Sequence, residues 1–330
     1  MNYLGSKGRL LPFISSTVEA NLKHPLSSYS FCDLFAGTGA VGNYFQTKVK
    51  SIIYNDRELY SYIINRAYHS PIDRMDYDFW ITYLNDLTGT EAFIFNEYSE
   101  KGSAGRLYFS ANNGRKIDAI RTRLTQLLQT DSINEELFNL LLATLLLAAD
   151  KVANTASVYC AYLKMLKNSA TAELKLIPIK RSQNSGNGIK VYNEDSLQLI
   201  QKISGDILYL DPPYNGREYS AYYHLLNTIA LYDPTFKPKG KAGLRDYFTS
   251  QFCLKSKVEN ALMTILSQAN FRHIFLSYNN EGLIPPSLIE DKMSSFGTYQ
   301  NFQMPYQRFK SQKTSSKSTT IEFLHHLIKD

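Results

Sequence analysis

The chain has 330 residues, 44% hydrophobic and 20% charged, with 36 Lys and Arg against 30 Asp and Glu for a formal net charge of +6. Those figures describe a globular chain long enough to bury a full core and to divide into more than one unit, and they exclude a disordered chain, a collagen-like fibre and a small disulfide scaffold. A pI near 8.9 tilts the partner towards a polyanion such as nucleic acid, while three scattered cysteines, Cys32, Cys160 and Cys253, make neither a disulfide framework nor a zinc site.

The opening MNYLGSKGRLLPFI lacks an apolar run of signal-peptide length and puts small residues before basic ones, the reverse of an export signal. The expected setting is therefore a reducing, cytoplasmic one. Residues 31–66 read as one βαβ unit of a parallel sheet: the strand SFCDLF, the glycine turn and helix AGTGAVGNYF, and the strand SIIYND. Comparable strand patterns return only at residues 189–192, 207–209 and 273–276.

The intervening residues 67–187 carry helical periodicity at 77–87, 117–128 and 137–151, and are expected to form an inserted, mostly helical domain. Its most apolar run, LFNLLLATLLLAA at 137–149, is broken by Asn139 and Thr144 and falls short of the roughly 20 residues of a membrane span, so a buried helix is expected. RSQNSGNG at 181–188 has the composition of a closing linker, and RFKSQKTSSKSTT at 308–320 is a second polar, basic stretch. The pair His325 and His326, with no third ligand near in sequence, reads as surface or packing positions. The expected division is a catalytic domain over 1–66 and 188–330 with the insert at 67–187 between its halves.

Two motifs carry chemistry. In FAGTGAVG, Gly37, Gly39 and Gly42 satisfy GxGxxG directly after a strand and at a helix start, where glycines permit a tight turn and close approach of a ligand to the backbone. Asp56, nineteen residues beyond Gly37 at the end of the next strand, suits two ribose hydroxyls. That pattern means a nucleoside cofactor; NAD and S-adenosylmethionine both meet it. The second motif is Asp211, Pro212, Pro213 and Tyr214 behind the strand ILYL. Two prolines hold the chain extended, so that a carboxylate and a carbonyl project together, a complementary pair for the two hydrogens of an exocyclic amine. The Tyr214 ring offers a stacking surface for a flat base.

FAGTG, DPPY and the amino-terminal NYLGSK together resemble the N6-adenine-specific DNA methyltransferases in which the cofactor motif precedes the catalytic one. The resemblance extends to NDRE at 55–58, NEDS at 193–196, and RLYFSANNGRKIDAIR and DKVANTASVYCAYLK in the insert, which look like segments of restriction-modification members. Tyr3 stands where the family often has Trp, and CDLFAG replaces its frequent acidic-Pro-Phe sequence. The resemblance implies a doubly wound, Rossmann-like α/β sheet with a helical DNA-recognition insert, S-adenosylmethionine as cofactor, and double-stranded DNA and a cognate restriction endonuclease as partners. It further implies that Tyr3 and Lys7 help hold the cofactor, that Asp33, Phe35, Ala36, Gly37, Thr38 and Gly39 line it, and that Asp56 binds its ribose. Asp195, followed by Ser196, would meet the cofactor adenine, and Asp211 would stand between cofactor and target base.

Such a target must leave the stacked duplex, at a few kcal/mol of unstacking and unpairing energy. The segment after DPPY interleaves Arg217, Tyr219 and Tyr222 in a way that suits closing over a flipped nucleotide, although YYHLLNTIALY also has the pattern of a packed helix. In the insert Arg106, Arg115, Lys116 and Arg121 cluster around glycines as candidate DNA contacts, and Arg308 and Lys310 are candidates for phosphates. No metal ligand set is expected, and no Pro-Cys site of the kind cytosine-C5 chemistry needs is present. A nicotinamide-dependent dehydrogenase would explain GxGxxG and Asp56 but not DPPY; a DNA-binding protein without catalysis would leave Asp211 and Tyr214 without a purpose.

Overall fold

The apolar runs around Phe31, Ile52, Ile207 and Ile274 lie side by side in one sheet. The computed structural model describes residues 5–181, 188–216, 218–307 and 319–330, and among these seven strands join. They are β1 (Ser30–Asp33), β2 (Ser51–Asn55), β3 (Ile189–Tyr192), β4 (Ser204–Leu210), β5 (Asn270–Asn279), β6 (Gly297–Gln307) and β7 (Thr319–Lys329), in the order β3-β2-β1-β4-β5-β7-β6. The first five in that order pair in parallel, and β7 runs antiparallel to both β5 and β6. Strand order reverses between β1 and β4, which opens a crevice at their carboxyl ends, the usual ligand position in an open α/β sheet.

Alternation along the strands divides the core into two layers. Phe31, Ile207, Tyr209 and Phe275 face Leu10, Ile14, Val18, Val41 and Phe45 of the helices Leu11–Ala20 and Ala40–Phe45 and the turn before them. Cys32, Leu208, Leu210, Ile274 and Leu276 face Leu262, Ile265, Leu266, Ile289 and Met293 of Val258–Gln268 and Pro286–Ser294. Each fully buried Leu or Ile contributes about 1.5–3 kcal/mol relative to exposure, so the two-sided burial of β1, β4 and β5 holds their carboxyl ends rigidly.

The hairpin β6–β7 has no counterpart in the expected strands. GTYQNFQMPYQ alternates polar residues as an edge strand does, while β7 lies between β5 and β6 and buries His325 and His326 completely. The His326 ring stacks on Phe275 at 4.2 Å, and the Tyr299 hydroxyl meets His325 Nδ1 at 2.8 Å, so packing is the role of both.

By contact the chain divides into a sheet unit, Ser6–Arg57, Gly186–Glu218 and Thr249–Asp330, and a helical unit, Met1–Gly5, Glu58–Ser185 and Tyr219–Phe248. The helical unit is thus larger than residues 67–187. Leu59–Tyr68 buries Tyr60, Ile63 and Ile64 in the same cluster as the Leu-rich helix Glu135–Val152, and the segment after DPPY adds Tyr223, Leu225, Leu226 and Ile229 to it. The Glu58 carboxylate, accepting from Ser220 Oγ at 2.5 Å and Asn227 Nδ2 at 2.6 Å, fastens the two pieces together. Ser110 and Asn134 cap Ala111–Gln129 and Glu135–Val152 by accepting from the backbone N–H three residues on, as their position before each apolar run suggests. Among the described residues no helix is long and apolar enough to cross a membrane.

Candidate active site

The glycine turn leaves β1 and enters Ala40–Phe45. Gly39, immediately before the helix, has φ 76°, which a side chain would strain, and a Cβ on Gly42 would lie 2.1 Å from the Tyr54 ring of β2. The helix therefore packs directly on the sheet. Asp33, the last residue of β1, is buried, and its Oδ2 accepts from Gly42 N at 3.0 Å. Burial raises this carboxyl to about 8 against the opposing pull of the Gly42 N–H, with Asp211 and Asp56 adding to the rise. Asp33 thus ties turn to strand.

Asp56 follows β2 and accepts from Gly37 N at 2.7 Å, so the acid expected at a ribose also shapes the turn that would hold the cofactor. Asn55, to which no role was assigned from sequence, donates to Leu34 O and Glu194 O and accepts from Glu194 N, joining the ends of β1, β2 and β3. Asn193 donates to Asp56 O at 2.8 Å and Arg57 O at 2.9 Å. Asp195 caps the turn Ser196–Leu199, its Oδ1 accepting from Leu197 N at 2.9 Å, with Arg57 3.8 Å from its other oxygen. Phe35 stands partly exposed with its ring edge-on to Phe252 at 5.2 Å.

Asp211 stands one residue beyond β4. Lys7 Nζ lies 3.1 Å from its Oδ1 and 3.7 Å from Glu322 Oε2 on β7, with Lys7 only 4% exposed and Asp211 18%. Leu10, Ile14 and Val18 anchor the following helix in the core and so fix the Lys7 turn. Burial pushes Asp211 up to about 6; Lys7 opposes the rise and Glu322 adds to it. Burial works against the Lys7 ammonium, but Asp211, Tyr214 and Glu322 outweigh it and keep it protonated. Lys7 sits 5.2 Å from the centre of the Tyr214 ring, which is edge-on to Tyr278 at 5.7 Å, and Leu283 N donates to Tyr214 O at 2.8 Å. Pro212 is buried and Pro213 half-buried. Lys7, expected at the cofactor, therefore pairs with the catalytic candidate. Glu322 was missed, although the lone acid in the apolar run IEFLHHLI was a signal that could have found it.

The basic candidates of the helical unit separate on burial. Arg121 is 6% exposed and donates to Ile229 O at 3.0 Å and Ala230 O at 2.9 Å, satisfying carbonyls at the end of His224–Leu231, so its expected place at a DNA surface is corrected to a buried helix clasp. Lys116 Nζ is spent on Asn85 O and Leu87 O, and Arg106 on Glu97, Pro238 O and Gly240 O. Arg115 keeps 32% exposure while pairing with Glu91 at 2.7 Å, and lines a cleft of about 690 Å³ with Asn112, Thr88 and Glu100. Tyr219 stacks on Tyr223, and both Tyr219 and Tyr222 pack against the helical core, as the helical pattern of that segment allowed. Tyr3, Arg217, Arg308 and Lys310 lie outside the described residues. Among the described residues no group of three or more His, Cys, Asp or Glu could hold a metal ion.

Residues 3–287 match the family described as D12 class N6 adenine-specific DNA methyltransferase. The chain is 47% identical to the type II methyltransferase M.NlaIII of Neisseria lactamica, over all of this chain and 99% of that one. It is 32% identical to M.CviAII of Paramecium bursaria Chlorella virus 1, over 98% and 97% of the two chains. It is also 38% identical to M.FokI of Planomicrobium okeanokoites, of which it spans about half, 53%. With an Asp-Pro-Pro-Tyr edge beside a glycine turn at the reversal point of the sheet, and a family match over most of its length, the chain belongs to the D12 class N6 adenine-specific DNA methyltransferases.

Proposed function

We propose that the chain transfers the methyl group of S-adenosylmethionine to N6 of an adenine flipped out of duplex DNA, at one short sequence, and that it is the modification enzyme of a restriction-modification system with a cognate endonuclease. The observation that carries this reading is Asp211, held at the end of β4 by the buried Lys7. Names of the relatives, type II methyltransferase and modification methylase, support the restriction-modification setting. Among the described residues Cys32, Cys160 and Cys253 form no disulfide, which suits a reducing cytoplasm.

The residues fit the cofactor. Gly37 and Gly39, both at positive φ on either side of Thr38, leave the backbone of the turn open to close approach, and a carboxylate offers about four lone-pair sites, so Asp56 can hold Gly37 N and still receive ribose hydroxyls. Asp195 and Ser196 stand just beyond β3, where the adenine amine would lie. S-adenosylmethionine, when bound, supplies an electrophilic methyl group on a sulfonium. Asp211 and the Pro212 carbonyl accept from the two N6 hydrogens, which favours a tetrahedral nitrogen with its lone pair available. Tyr214 stacks on the flipped base. Aligning reactants in this way is worth about 7–11 kcal/mol in favourable cases. A carboxylate raised to about 6 is also matched to receive the proton that N6 sheds. Arg115 and its cleft supply a DNA contact in the helical unit.

Labelled methyl transfer to unmethylated genomic DNA, with nucleoside chromatography, tests the reading. Label in N6-methyldeoxyadenosine at one recurring sequence, absent with Asp211→Ala, is expected; label on cytosine N4 or in RNA would overturn it.

A further inference from the structure

Glu322 belongs to neither motif, yet it meets the same ammonium as Asp211. It lies on β7, opposite Asn279 of β5 and Met304 of β6, and is 6% exposed. A carboxylate buried there is costly unless a cation answers it. Its Oε2 makes no hydrogen bond among the described residues, and its ionic neighbour is Lys7 at 3.7 Å. One cation thus faces two carboxylates. If Lys7 served Asp211 alone, the pair would be neutral at the point where the amine is to be methylated.

We propose that Glu322 is a positioning residue for methyl transfer: by sharing Lys7 with Asp211 it leaves the three side chains with one net negative charge beside N6. This rests on the function proposed above. As the N6 lone pair forms the N–C bond, the electron pair of the breaking C–S bond goes to sulfur, the nitrogen becomes cationic, and its proton then passes to the Asp211 carboxylate. A net negative site favours that developing cation, and a neutral one does not. Among the described residues the other titratable groups facing Asp211 are Asp33 at the end of β1 and Tyr209 of β4, with Tyr214 across Lys7. Asp33, Tyr209 and Tyr214 carry no positive charge, so among the described residues Lys7 is the cation for which the two carboxylates compete.

Glu322→Gln keeps the shape and removes the charge. In that variant kcat at the pH plateau falls by roughly tenfold, the acid limb of kcat moves to lower pH because Lys7 now serves Asp211 alone, and KM for S-adenosylmethionine is unchanged. Glu322→Met, of similar volume, carries the same expectation should the amide fold poorly. A variant with the parent profile, or one slowed with an unmoved acid limb, would overturn the proposal. The carboxyl carbon of Asp211, followed by NMR without substrate, reads the same coupling and titrates at lower pH in both variants. A parent that makes no N6-methyladenine refutes the proposed function; an Asp211 midpoint that stays put refutes the sharing of Lys7.

Discussion

Replacing Lys7 by Met removes the buried ammonium between Asp211 and Glu322 while keeping the apolar stem of the side chain. At 3.1 Å and an effective dielectric constant near 20, the Lys7–Asp211 attraction is about 5 kcal/mol before desolvation and screening. Asp211 is 18% exposed, so the measurable part is smaller, and an opposite charge at such range commonly lowers a carboxyl by about one to three pH units. Without it Asp211 rises from about 6 to above neutrality, and the like charge of Glu322 adds to the rise. The sign follows: transfer needs the carboxylate as acceptor, so protonation inactivates and activity returns as pH rises. Lys7→Met should therefore lose about tenfold in kcat near pH 7 and regain most of it near pH 9, its acid limb displaced upwards by about one to two units. Initial rates of labelled methyl transfer across pH, at saturating DNA and cofactor, measure this. A rise in KM for S-adenosylmethionine with an acid limb still near that of the parent would refute the argument and return Lys7 to cofactor binding.

Two further outcomes come from packing. Gly42→Ala drives a methyl group to 2.1 Å from the Tyr54 ring, which is fully buried, and should cost about 1–3 kcal/mol or more in urea unfolding; an unchanged midpoint would mean the helix shifts freely on the sheet. Arg121→Ala and Arg115→Ala should separate fold from function. The first strips the donors from Ile229 O and Ala230 O and should lower stability by about 1–3 kcal/mol. The second should leave stability within about 0.5 kcal/mol and reduce DNA affinity, with the salt slope smaller by about one; the opposite assignment of effects would reverse the roles given to these arginines.

The strands that position the active-site edge were legible because β1, β4 and β5 are buried on both faces and read as apolar runs, and because the glycine turn and the double proline are local constraints that act wherever they are placed. Helices at Arg74–Asn85, Ala111–Gln129 and Glu135–Val152 were legible from apolar period, itself a property of neighbouring residues, while their first turns and caps were not read. The β6–β7 hairpin was not: β6 is an edge strand with polar alternation, and only pairing with β5 makes β7 an interior strand that buries His325, His326 and Glu322. Nor could the sequence sort its arginines, since Arg115 and Arg121 lie six residues apart on one helix and only the packing against His224–Leu231 puts the second inside. Motif, period and turn chemistry are properties of neighbouring residues, and they determined by themselves that a nucleoside-type turn and a DPPY edge share one sheet. Which charges meet across 200 or more residues, Lys7 with Asp211 and Glu322 above all, is set by strand order and burial, and that the tertiary structure alone decided.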